Sequence, residues 1–213
     1  MTKLIYGHDP LCGWCFGFIP VLEHFVLNRP DIEIEIIPGG LMKGAKVKPY
    51  SDMLDYISGA APKMTAITGQ ALGESFFDMM RQDPTPMITS APPSHAILQM
   101  QKLVADKEVL MFAHAIQNVH FRDGKDLNIS STYEEICDAL SLPQIDTQAI
   151  TQATEHEPMV AESYKRAGLL NISSFPTCLV LDESGQPLGR IDSVYDPQAF
   201  LSQVDAVVSA QLG

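Results

Sequence analysis

The sequence predicts an α/β fold interrupted by a large all-helical insertion, and three observations carry that prediction. The first forty residues read as strand, helix, strand; the last forty read as strand, turn, strand, helix; and the stretch between them is dominated by helical spacing. The expected division is residues 1–45 plus 168–213 for the α/β unit and 46–167 for the insertion. At 213 residues the chain is long enough to bury an adequate core in either arrangement, so folding does not require disulfide staples.

The elements follow from local pattern. Leu4, Ile5 and Tyr6 form a short apolar β-compatible run that ends before the Asp9-Pro10 breaker. From Trp14, the apolar positions Phe18, Val21, Leu22 and Phe25 recur at helical spacing to about Asn28. Ile32, Ile34 and Ile36 alternate with Glu33 and Glu35, as in a strand, until Pro38-Gly39-Gly40 stops the run. Two strands joined through a helix in this way make a βαβ unit with a right-handed crossover.

In the middle stretch, residues 94–104 and 109–119 each place apolar side chains at helical intervals. Ser131-Thr132-Tyr133-Glu134 fits a capping box opening another helix, residues 147–154 and 158–167 read as two more, and prolines 84, 86, 92 and 93 mark loops. The chain then returns to strands at 177–182 and 188–191 around the turn Glu183-Ser184-Gly185. Asp196-Pro197 opens a terminal helix, with Asp as N-cap and Pro at the first helical position, burying Phe200, Val204, Val207 and Val208.

Composition narrows the partners. A formal net charge of -12 repels phosphate backbones and anionic headgroups, which argues against nucleic acid and membrane surfaces. No run approaches the length of apolar residues that spans a bilayer, and the strand that starts directly after Met1-Thr2-Lys3 leaves no room for a signal peptide, so a cytoplasmic location is expected. In such a compartment four cysteines do not form a disulfide framework.

Two of them stand apart. Cys12 and Cys15 enclose Gly13-Trp14 in a C-x-x-C where the first strand hands over to the first helix, a pattern associated with redox chemistry. At a helix N-terminus unpaired amides favour an anion, so Cys12 is expected to be the attacking thiolate, with a lowered pKa. Cys15, one turn further in, is placed to resolve a mixed disulfide.

The segment Asp9-Pro10-Leu11-Cys12-Gly13-Trp14-Cys15-Phe16-Gly17 resembles the D-x-x-C-P-W-C stretch of the DsbA-like proteins, a group that includes FrnE-type oxidoreductases and predicted cytosolic disulfide isomerases. Pro20, five residues after the second cysteine, is similar to the helix-bending proline of the thioredoxin superfamily. Downstream, Ile172-Ser173-Ser174-Phe175-Pro176-Thr177 resembles the superfamily loop whose proline follows a cis bond and faces the C-x-x-C. The resemblance implies a thioredoxin fold with a DsbA-like helical insertion, and a loop at Phe175 and Pro176 that pairs with an extended client in strand-like fashion. Gly13 departs from the pattern, since that subgroup more often has proline there.

The resemblance further implies a thiol-disulfide oxidoreductase or isomerase acting on protein or small-thiol substrates, with no bound cofactor. Glutathione, as co-substrate, or a thioredoxin-type reductant would be its exchange partner. A second reading follows from relatives of the same fold, the kappa-class glutathione transferases and hydroxychromene carboxylate isomerases, which usually carry serine where Cys12 stands. A third is a client-binding module whose cysteines are vestigial or hold metal.

Other residues carry alternatives. A C-x-x-C is also half of a zinc site, but no second close ligand pair accompanies it, so no metal is expected. Cys137 and Cys178 fall in apolar stripes and read as inert core thiols, although Cys178, two residues past Pro176, is close enough to the expected site to keep a redox role open; the six histidines read as surface or satisfied core residues, with His8 the one to watch at the end of the first strand. Asp9 either accepts turn amides or receives the proton that Cys15 loses. Trp14 is expected to be an apolar surface for clients. Eight of the ten methionines lie between Met42 and Met111, either filling the core or lining an adaptable groove.

Overall fold

The computed structural model describes residues 2–210; the outermost positions of the α/β unit expected above, residues 1 and 211–213, lie outside them. Strand β1 (Lys3–His8) leads through a turn into α1 (Gly13–Gly17) and α2 (Ile19–Asn28), and the crossover returns to β2 (Glu33–Pro38). β1 pairs in parallel with β2, setting Tyr6 beside Ile36. The expected single helix from Trp14 to Asn28 is in fact two. Pro20 has no N–H to give to the carbonyl of Phe16, so the ladder breaks at Phe18, whose own N–H returns to the carbonyl of Cys15 at 3.0 Å.

Eight elements fill the middle: β3 (Lys48–Pro49), α3 (Leu54–Thr68), α4 (Glu74–Met80), β4 (Met87–Ile88), α5 (Ala91–Met100), α6 (Asp106–Phe121), α7 (Ser130–Leu140) and α8 (Thr147–Thr151), followed by α9 (Pro158–Leu169). β3 and β4 form a two-residue antiparallel ladder inside this helical stretch. Pro92 and Pro93 do not mark a loop: they occupy the first turn of α5, where a missing N–H costs no helical hydrogen bond. Ser131 does not cap α7 either. The helix starts one residue earlier, Ile129 is its N-cap, and Glu134 accepts instead from the Thr147 hydroxyl at 2.9 Å.

The chain closes with β5 (Thr177–Leu181), β6 (Pro187–Asp192) and α10 (Pro197–Ser209). β5 runs antiparallel to β1 and places Cys178 opposite Tyr6, giving the sheet order β2-β1-β5-β6. Asp196 caps α10 by accepting from the Ala199 N–H at 2.7 Å, as its position before Pro197 predicts.

Alternation along β1 sends Leu4 and Tyr6 to one face and Ile5 to the other. The Ile5 face packs with Ile37, Leu179, Ala167 and Ile172, where α9 covers the sheet. The Tyr6 face joins Phe18, Phe25 and Phe200 beneath α2 and α10: the Tyr6 ring meets Phe18 at a tilt, and Phe200 packs edge-to-face with Phe18 and Phe25. This second core does not stop at the sheet. It runs through Phe16 and Phe121 into Phe112, Ile116 and Phe76 of the helical stretch as one continuous apolar body. Five of the methionines between 42 and 111 (Met42, Met64, Met79, Met80 and Met100) are buried in it, which makes them core filler.

Candidate functional site

Cys12 is the N-cap of α1, and the Phe16 N–H closes the first turn on its carbonyl at 3.1 Å. Its thiol donates to the carbonyl oxygen of Phe175 at 3.4 Å, so residues 12 and 175, far apart in the chain, face each other. The Phe175–Pro176 peptide is cis. Cys12 is 6% exposed and Cys15 fully buried, so the first sulfur keeps a thin edge toward solvent and the second keeps none. Both are thiols.

The Cys15 thiol contacts Cys12, the Tyr6 hydroxyl and the backbone N–H of Asp9. Burial, and then the adjacent Cys12 thiol, push it well above the ordinary thiol range, while the hydrogen bonds from Asp9 and Tyr6 act in the opposite direction. Tyr6 is pushed up as well, by burial first and then by Cys15. Its hydroxyl also meets the Nδ1 of His8 at 3.1 Å. Tyr6 was not among the residues singled out from sequence, because a tyrosine in a buried strand reads as core unless its hydroxyl partner is known.

The Asp9 carboxylate is turned away from the sulfurs. One oxygen accepts from the Leu11 N–H and the Ser90 hydroxyl, both at 3.0 Å, and the other accepts from the Leu41 N–H at 2.6 Å. Burial raises its pKa to about 6, against the pull of these donors. Its side chain therefore ties together the turn before Cys12, the turn after β2 and the start of α5, and what reaches Cys15 from this residue is the amide.

Gln117 of α6 supplies a second tie. Its Nε2 donates to the carbonyls of Asp9 and Pro10 at 3.4 Å and of Cys12 at 3.3 Å. A glutamine among the mostly apolar residues of the buried face of α6 was the available sequence signal. Gly13 lies under α3, where an added Cβ would stand 3.2 Å from the Met64 sulfur; the absence of a side chain here matches the close approach of that helix. Trp14 is half-buried and packs on Tyr195 with ring centroids 5.4 Å apart, so much of its expected free apolar face is already used.

The facing loop is held differently. The Phe175 ring lies on Gly39, where a Cβ would come within 2.2 Å of two ring carbons. Thr177 donates its hydroxyl to the Ser174 carbonyl at 2.9 Å, and Arg190 spans the loop by donating to the Thr177 hydroxyl at 3.1 Å and the Asn171 carbonyl at 2.8 Å. Sequence reading took Gly39 only as a strand terminator and passed over Arg190.

No family model matches the sequence, and no curated protein matches it. Solved structures do. A cytosolic disulfide reductase, DsbM from Pseudomonas aeruginosa, superposes with a TM-score of 0.79 at 24% identity over 99% of this chain and 100% of that one. The same protein in a structure with GSH gives 0.72 at 26% identity over 99% and 98%. The chain has the DsbA-like thioredoxin fold. A 2-hydroxychromene-2-carboxylate isomerase also shares the fold, with a TM-score of 0.65 at 13% identity over 98% of this chain and 97% of that one.

The remaining cysteines of the chain are buried. Cys178 sits beside Tyr6 across the β1–β5 ladder, its thiol pushed up by burial, and Cys137 packs inside α7. The histidines depart from the reading as satisfied core residues, because His8, His95 and His114 each leave one buried ring nitrogen without a partner. Among the described residues no group of three or more His, Cys, Asp or Glu is placed to hold a metal ion, and no helix is long and apolar enough to cross a membrane.

Proposed function

We propose that this protein is a cytoplasmic thiol-disulfide oxidoreductase that exchanges disulfides with glutathione and with extended, unfolded protein segments through Cys12 and Cys15. The observation that carries the reading is the contact of the Cys12 thiol with the Phe175 carbonyl at 3.4 Å, with the Cys15 thiol directly behind. A substrate lying along residues 174–176 brings its sulfur to Cys12 and pairs with backbone there.

The steps balance as follows. The Cys12 thiolate attacks one sulfur of a substrate disulfide, that bond breaks, and the departing thiolate takes a proton from solvent. Cys15, having lost its proton, attacks the Cys12 sulfur, releases the second substrate thiol and leaves a Cys12–Cys15 disulfide. Two electrons pass from the dithiol to the substrate. A thiol such as glutathione, or a thioredoxin-type protein, restores the dithiol by the same chemistry in reverse. Isomerisation uses the first attack and its reversal alone. With 6% of Cys12 exposed, small disulfides and flexible chains reach the sulfur more readily than folded surfaces do.

The likeness to DsbM, a cytosolic disulfide reductase also solved with GSH, supports this reading and its location. The fold shared with 2-hydroxychromene-2-carboxylate isomerase keeps a glutathione-dependent isomerase or transferase as the competitor. A Cys15→Ser variant separates the two. Oxidoreductase chemistry traps a mixed disulfide on Cys12 with oxidised glutathione or unfolded scrambled protein, seen by intact mass, and loses insulin reduction. Retention of full glutathione-dependent turnover without any trapped adduct overturns the proposal.

A further inference from the structure

The Asp9 side chain is fully buried between the two loops that meet at Cys12. On one side its Oδ1 accepts at 3.0 Å from the N–H of Leu11, the residue immediately before Cys12. On the other its Oδ2 accepts from the N–H of Leu41 at 2.6 Å. Leu41 follows Gly39 and Gly40, and Gly39 is the floor on which the Phe175 ring sits, with no room for a side chain between them. Gly39 is itself fixed to the first strand, where its N–H donates to the His8 carbonyl at 2.9 Å. These contacts close a ring: from Asp9 through Leu11 to Cys12, from the Cys12 thiol to the Phe175 carbonyl at 3.4 Å, from the Phe175 ring to Gly39, and back through Leu41 to Asp9. Ser90, fully buried as well, braces the Leu41 arm. Its hydroxyl donates to Asp9 Oδ1 at 3.0 Å and accepts from the Met42 N–H at 2.9 Å, while its own N–H donates to the Met42 carbonyl at 2.9 Å.

Resting on the oxidoreductase reading, we propose that Asp9 is a positioning residue for the first attack, a single carboxylate that sets the gap between the Cys12 sulfur and the Phe175 loop. The donors around it ask for a carboxylate. Leu11 and Leu41 present backbone N–H groups that cannot reverse, one to each oxygen, so both oxygens must accept. Asparagine has the same shape but one acceptor oxygen. Whichever way its amide is turned, an NH2 group meets a backbone N–H, and in a fully buried position the donor left over finds no solvent, so one arm of the ring opens. The Leu11 arm fixes the turn that presents the sulfur, and the Leu41 arm holds the surface that keeps the Phe175 carbonyl facing it. Attack on a disulfide needs the sulfur and the backbone that aligns the substrate at one spacing, so loosening either arm misplaces the reacting atoms. Gln117, the other buried tie, reaches only carbonyls of the thiol turn. Asp9 reaches both sides of the gap.

The experiment times the mixed disulfide that Cys12 forms with oxidised glutathione, followed by intact mass in a Cys15→Ala background where no second step intervenes. The rate is measured for that background alone, with Asp9→Asn, with Gly39→Ala and with both. Asp9→Asn should slow the reaction by about tenfold or more. Removing an anion near the thiols by itself favours the thiolate and speeds attack, so a slower reaction has the sign of misplacement and not of lost charge. Because both changes open the same gap, the double variant should be slower than Gly39→Ala alone by less than about threefold, where independent effects would multiply. A side chain that merely stabilises the fold gives no such coupling. Where Asp9→Asn does not fold, Ser90→Ala takes its place in the same cycle: it keeps the carboxylate, removes the brace of the Leu41 arm, and should show a smaller loss that again fails to multiply. An unchanged first step, or full multiplication with Gly39→Ala, overturns the positioning role and leaves the oxidoreductase reading standing. A background protein that forms no mixed disulfide at all overturns both.

Discussion

The two loops that meet at the sulfur of Cys12 are built on opposite principles. Residues 9–15 are anchored from below by buried hydrogen bonds: Gln117 to three carbonyls, Asp9 to two amides and a hydroxyl. Residues 171–177 are held by shape and by a guanidinium at the rim, the Phe175 ring seated on Gly39 and Arg190 bridging Asn171 and Thr177. Buried polar ties are costly to break and fix a single geometry, while a rim contact shared with water holds less firmly. The difference teaches that the thiols belong to the rigid part of the molecule and that the loop facing them has more room to adapt to what it binds.

The sharpest way to break this comparison is Gly39→Ala. A Cβ within 2.2 Å of the Phe175 ring forces that ring and its carbonyl away from Cys12. A displacement of about 1 Å at a reacting centre costs on the order of a hundredfold in rate. Glutathione-disulfide turnover should fall by that order while the urea midpoint moves little; a midpoint that falls in proportion to the rate would mean the facing loop is as structural as the thiol loop.

Gln117→Leu attacks the other side. It removes a donor shared by three carbonyls; those of Asp9 and Cys12 keep the N–H groups of Cys12 and Phe16, while that of Pro10 loses its donor, and an unsatisfied buried group costs about 1–3 kcal/mol. Both stability in urea and turnover should drop, turnover by roughly tenfold on the same misplacement argument. Unchanged stability would show that the thiol loop is held by packing alone.

The fold was largely legible before any coordinates. Alternation of Ile32, Ile34 and Ile36 marked β2 to within a residue or two, and Asp196-Pro197 marked the start of α10, because period and cap chemistry are local properties. What failed was also local but depended on a distant partner. Ser131 looked like a cap until Ile129 took that position, and Pro92 and Pro93 looked like breakers although they open α5. In the site, Cys12, Cys15, Phe175 and Pro176 stood out through motif and spacing. Tyr6, Gln117 and Arg190 did not, since their meaning lies in contacts across 9, 105 and 13 residues or more of chain, to Cys15, Cys12 and Thr177.

A third test concerns pH and separates buried titrating groups by sign. Burial lowers His8 to about 3 and His120 to about 4, below an unfolded histidine near 6.5, so their contribution to stability is complete above that unfolded value and is lost as pH falls toward the folded ones. Asp9, raised to about 6, works the other way: the folded state holds its proton between about 4 and 6, so acid relieves a cost that is present at neutral pH. Two histidines oppose one carboxyl. The net expectation is a loss on the order of a few kcal/mol between pH 7 and 4, followed by thermal unfolding, with an NMR titration of the Asp9 carboxyl centred near 6. A protein more stable at pH 4 than at 7 would contradict it.

The smallest effect should come from Arg190→Leu. Its guanidinium is partly exposed, and a partly screened contact contributes about 0–1 kcal/mol. Turnover of small disulfides should change less than about threefold, and a larger change would move the facing loop into the rigid class beside residues 9–15.

The uninterrupted apolar body linking sheet and helices also bears on how such a protein can be re-engineered. Joining residue 45 directly to 168 would strip the cover from Phe16, remove Ser90 and Gln117 from beneath the thiol turn, and leave a sticky half-protein in place of a minimal redox module. Swapping in the helical stretch of a relative calls for matching its inner face side chain by side chain, so recombination here succeeds or fails at the buried seam and not at the splice points.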